Sequence, residues 1–131
     1  RMTDTQQRAD SFLERSKLLL LGFVNFDPET EDIYTLNLPL QKKLSRKLVS
    51  ESADLKELLD NPAQARLRSL VSDLEVILMQ IANLESEQDL SAVAMVQSGV
   101  DTRGILFKIN LEHMKKTTED NNKHTNKHRS I

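Results

Sequence analysis

The stretch "ARLRSLVSDLEVILMQIANLE", residues 65–85, constrains the fold more than any other part of the chain. Leu67, Leu70, Leu74, Ile77, Ile81 and Leu84 recur at alternating spacings of three and four. That is the heptad seam of a helix packed along its length. Val71 and Leu78 widen the seam, while Val76, Met79 and Ala82 add a second apolar face. A helix on the surface of a small domain needs only one stripe. This segment therefore predicts a central helix with neighbours on two sides, or a helix that carries one face into a dimer.

The flanking sequence supplies neighbours of the same kind. Ala9, Phe12, Leu13, Ser16, Leu19, Leu20 and Phe23 fall at helical spacing and predict a first helix over about 4–24. Asp27-Pro28 closes it, because the residue before proline avoids the α region. Residues 25–38 read as an acidic connection, with Ile33, Tyr34, Leu36 and Leu38 pinning it to the core. A second helix starts near Pro39 and ends at Asp60, with Leu40, Leu44, Leu48, Leu55, Leu58 and Leu59 as its face. Lys42, Lys43, Arg46 and Lys47 fall mostly on its other side. Asn61-Pro62 opens the third helix, over 62–84, as N-cap and first-turn residue, and Gln64 is placed to reach back.

Ser86 with Asp89 reads as the next capping pair, before a fourth helix over 87–114. Leu90, Val93, Val100, Phe107, Leu111 and Met114 are spaced for one face of it. Gly99 and Gly104 interrupt it, allowing either close helix approach or a break. "GILFKINL" (104–111) also alternates like a strand, but no second strand is at hand to pair with it, so helix is preferred. Hydrophobic residues make up 38% of the chain and aromatics only 4%, which fits Leu-rich helices better than a sandwich or barrel. The expectation is an all-α, four-helix bundle-like domain over residues 1–114, followed by a polar, basic tail over 115–131.

Charge and composition exclude several classes. The tail holds five Lys/Arg and two acids, leaving 13 basic and 18 acidic residues in 1–114. An acidic body argues against a nucleic-acid surface on the folded part, since phosphate needs a positive face. The chain has no Cys, hence no thiol chemistry and no Cys-based zinc site. "LLLLGFVNF" (18–26) is shorter than the roughly 20 residues of a membrane span. The chain opens Arg1-Met2. It reads either as a start displaced by one residue or as a soluble piece of a longer protein, with any membrane anchor upstream.

Residue clusters with chemical potential are few. His124 and His128 stand four apart, as a metal pair on a helix would, but no third ligand follows at matching spacing. Asp73 with Glu75, and Glu85 with Glu87 and Asp89, are paired acids of the kind that more often meet Arg or water than substrate. With three glycines in all, there is neither a phosphate loop nor a nucleophile elbow. The expectation is no catalytic residue, no cofactor and no metal. Leu18, Leu21, Val76 and Met79 exceed what one stripe needs and are the candidate interaction surface, with a homodimer as one use of it. Arg103, just before "ILFKI", needs water or an acid, and Asp73 or Glu75 is the expected structural partner.

The runs "RADSFLERSKLLLLGFVN" (8–25), "LPLQKKLSRKLVSESADLKELL" (38–59), "LVSDLEVILMQIANLE" (70–85) and "TRGILFKINL" (102–111) resemble a helical domain of bacterial membrane-anchored proteins. These are described as anti-sigma-factor or zinc-finger-like transmembrane proteins. The resemblance implies the soluble region beyond a single membrane helix, placed in the periplasm or at the membrane. The expected function is then a non-catalytic protein-interaction or sensory module of a membrane-associated regulator. The alternative is a free cytoplasmic helical protein that binds a partner or nucleic acid through its basic tail.

Overall fold

The computed structural model of the protein describes residues 3–85 and 90–115, all helix and connection with no strand among them. Helix α1 spans Asp4–Val24, α2 Leu38–Leu58, α3 Ala65–Ala82 and α4 Leu90–Thr102. A fifth helical segment, α5, covers 105–115. The expected capping pair Ser86 and Asp89, and the tail from residue 116 with His124 and His128, lie outside the described residues.

Local signals set the helix starts. Gln6 N donates to Thr3 Oγ1 at 3.1 Å, and Thr3 N donates to Gln6 Oε1 at 2.9 Å, a reciprocal capping box at the head of α1. Asn61 Oδ1 accepts from Ala63 N at 2.9 Å. The turn it caps is a short 3-10 segment, Pro62–Gln64, and α3 begins only at Ala65, with no side-chain bond from Gln64. The connection after α1 contains a second 3-10 turn, Ile33–Leu36. Leu36 and Leu38 anchor it in the core, whereas the Tyr34 side chain is largely exposed.

α2 and α3 form the closest helix pair, α1 packs mainly on α2 and α4, and α3 on α2 and α4. Leu74, Ile77, Leu78 and Ile81 of α3 are all fully buried, so α3 holds the middle of the core. Its expected second face is not covered: Ala82 is buried, but Val76 and Met79 are exposed. On α2 the buried side is Leu38, Ser45, Leu48, Ser52 and Leu55. Leu40, Leu44 and Leu58, expected on that face, stand outside it. The reason is one of shape. Small serines at two inward positions let α2 lie close to its neighbours, and the side chains that this phase turns outward happen to be leucines.

The expected single helix over 87–114 is broken. Gly104 sits at φ +59°, a left-handed conformation that a residue with a Cβ adopts at a cost, and nothing lies within 4 Å of where its Cβ would be. Gly104 therefore serves the break and not a close approach. The close approach is at Gly99, where an added Cβ would stand 2.7 Å from Ile77 Cδ1. The break resets the helical phase, so α5 buries Ile105 and Ile109. Phe107, Leu111 and Met114, which an unbroken helix would have kept on the inward face of Leu90, Val93 and Val100, turn outward instead. Leu90 is exposed as well.

Candidate interaction surface

Two polar clusters hold the helices in register. Lys56 Nζ donates to Glu75 Oε1 at 2.8 Å, joining α2 to α3. The Ser52 hydroxyl lies 2.7 Å from Glu75 Oε2 and 2.6 Å from the Val49 carbonyl, two acceptors for its one proton. The hydrogen bond from Lys56, then that from Ser52, then the charge of Lys56 hold the Glu75 carboxyl below its ordinary range, against the opposing effect of burial. Arg68 Nε donates to the Lys56 carbonyl at 3.1 Å, closing the end of α2 from α3.

The second cluster spans the break. Asp73 Oδ1 is 3.7 Å from Arg103, and Asp73 Oδ2 is 3.2 Å from Lys108, so one carboxylate meets a cation from each side of Gly104. Of the two acids expected near Arg103, Asp73 is the one within reach. Glu75 is turned to α2 because its place on the α3 surface lies toward Lys56 and Ser52. Sequence reasoning missed Lys108, whose spacing from Arg103 places it on the same side only after the break. It also missed Gln97 of α4, whose Nε2 donates to the carbonyls of Phe23 at 2.8 Å and Phe26 at 2.9 Å and so caps the end of α1.

Both clusters are staples between helices. A recess of about 230 Å³ lies between α1 and α2, lined by Asp4, Arg8, Ser11, Arg15 and Glu51 among others. Arg15 and Glu51 close on each other there at 2.9 Å. Among the described residues no group of three or more His, Asp or Glu is arranged to hold a metal ion. None of the described helices is long and apolar enough to cross a membrane.

The outward apolar side chains are a different matter. Leu18 of α1 is 62% exposed, Leu21 is half-buried, and Val76 and Met79 of α3 are exposed. α1 and α3, which carry these four residues, both pack on α2 and α4. Another set of outward apolar side chains lies on α5. Phe107 is 67% exposed, Leu111 45% and Met114 61%, at positions i, i+4 and i+7 of one helix face. The opposite side of the same helix is anchored by Ile105 and Ile109. The result is an outward apolar ridge backed by buried residues. Comparison with known protein families, with curated proteins and with solved structures gives no match, so geometry and chemistry carry the reading of this surface.

Proposed function

We propose that this chain is a non-catalytic interaction module, a bundle-like helical frame that presents α5 to a protein partner. The observation that carries this reading is the Phe107–Leu111–Met114 ridge, held outward by burial of Ile105 and Ile109 behind it. Apolar anchors at i, i+4 and i+7 are the pattern by which a helix is read in a complementary groove. In the setting that the sequence resemblance implies, the module is the extracytoplasmic part of a membrane-associated regulator, and the groove belongs to another protein or to a second copy.

The test is site-specific photo-crosslinking in cells, with the reactive residue at position 107 or 111 and a control at exposed Asp54 of α2. Discrete adducts from 107 and 111, absent from 54 and lost when Met114 is changed to Ser, support the reading. No adduct at the ridge, or the same adducts at position 54, overturns it. Sedimentation of the purified chain with and without Phe107→Ser identifies the case in which the partner is a second copy.

A further inference from the structure

We propose that the N-terminal half of α2 is a docking face for an anionic lipid surface, a role separate from that of the α5 ridge. Lys42, Lys43, Arg46 and Lys47 lie within six residues, and no acid occurs between Asp32 and Glu51. The rest of the chain carries an excess of acid, since the total is 18 basic and 20 acidic residues. Lys43, Arg46 and Lys47 are exposed and Lys42 is half-buried. Among the described residues none of the four takes part in an ion pair: the pairs involve Arg15, Lys56, Arg103 and Lys108.

The placement of these cations does not serve the helix. Lys42 with Arg46, and Lys43 with Lys47, are like-charge pairs at i, i+4, which destabilise a helix. Lys47 has an acid at i+4, but that acid, Glu51, is engaged by Arg15 of α1 at 2.9 Å. The helix dipole favours acids near the N-terminus and cations near the C-terminus, while α2 has four of its five cations in its first half, with Lys56 in its last turn, and Glu51, Asp54 and Glu57 in its second half. Three of the four acids of the preceding loop accept backbone hydrogen bonds that shape it: Asp27 Oδ1 accepts from Glu29 N, Glu31 Oε1 from Asp27 N and Asp32 Oδ1 from Tyr34 N. Among the described residues these four cations thus have no acid within ion-pair reach.

The apolar neighbours select lipid among anionic partners. Leu40 is 45% exposed and Leu44 41% exposed, and with Lys43 and Lys47 they fall at i, i+3, i+4 and i+7 on one side of α2. A phosphate backbone has no use for exposed leucines between the cations, whereas a headgroup–acyl boundary accepts the leucines while its charged headgroups meet the lysines. α2 is held from behind by Leu38, Ser45, Leu48, Ser52 and Leu55, so the face is presented without rearrangement of the core.

Vesicle flotation of the whole chain tests this, comparing phosphatidylcholine alone with phosphatidylcholine containing about one-third phosphatidylglycerol. The expected result is binding to the charged vesicles only, weakening as salt is raised. Lys43→Glu with Lys47→Glu should weaken it by about tenfold or more, given the contribution of each cation near a charged surface. Leu40→Ser with Leu44→Ser should weaken it several-fold, and the charge-matched control Arg8→Glu with Arg66→Glu should leave it unchanged. Far-UV circular dichroism confirms that each variant keeps its helices. Absence of binding, equal binding to neutral vesicles, or no effect of the Lys43/Lys47 change overturns the proposal. So does unchanged vesicle binding by the leucine variant together with equal affinity for duplex DNA, which would make the face a general polyanion site.

Discussion

Lys56 on α2 and Glu75 on α3 are joined at 2.8 Å, and Glu75 is also the acceptor that Ser52 meets from the fully buried side of α2. Both charged side chains are mostly covered, so the pair is stronger than an exposed one, and a lone partner left behind is costly. Glu75→Gln should lower stability by roughly 1–3 kcal/mol at neutral pH. The folded carboxyl is held below its ordinary value of 4.5, so the stabilisation is fully present above that value and is lost as pH falls through the lowered one. Urea unfolding of wild type and Glu75→Gln from neutral pH downward should therefore show the gap between them closing in acid. A gap that widens in acid would be the wrong sign.

The three glycines should respond differently to alanine. Gly22 lies in α1 with nothing within 4 Å of its Cβ position, so Gly22→Ala should stabilise by about 0.5–1 kcal/mol. Gly104→Ala must hold a side chain at φ +59° and should cost about 1–2 kcal/mol. At Gly99 a helix-propensity gain of about 1 kcal/mol opposes overpacking against Ile77, which typically costs about 1–3 kcal/mol. Gly99→Ala should thus lie between neutral and moderately destabilising, and adding Ile77→Val should relieve the cost. Thermal unfolding of the four variants checks the order.

Burial on α5 separates its two sides. Ile105→Ala and Ile109→Ala should each cost roughly 2–5 kcal/mol, as should Leu74→Ala in α3. Phe107→Ser and Leu111→Ser change side chains that project into solvent, and stability should stay within about 0.5 kcal/mol of wild type. Denaturant midpoints at constant m-value decide this. A large loss from Phe107→Ser would place the ridge in the core instead.

Asp73 pairs with cations on both sides of the Gly104 break, but Arg103 and Lys108 are each nearly half exposed. Asp73→Asn and Arg103→Ala should each cost about 1 kcal/mol or less. Raising the salt concentration should shrink both effects, because exposed pairs are screened. Chemical unfolding at low and high salt measures this directly.

What the sequence determined by itself is the local part. The apolar spacing in α1 and α3 and the Asn61-Pro62 boundary are visible because each depends on residues within a turn or two of one another. The all-helical class follows from the same signals. Tertiary structure decided which way each helix turns about its own axis. Ser45 and Ser52 face inward while Leu40 and Leu44 do not, because the distance between packed helices, not hydrophobicity alone, selects the side chains that fit. The outward ridge of Phe107, Leu111 and Met114 depends on one left-handed glycine that shifts the phase of everything after it, a choice open to Gly104 but not written in the spacing of its neighbours. The same holds for Glu75 and Asp73. They stand two residues apart in the chain, yet helical geometry sends one to α2 and the other to the α4–α5 junction, and only the packed neighbours determine which cations they meet.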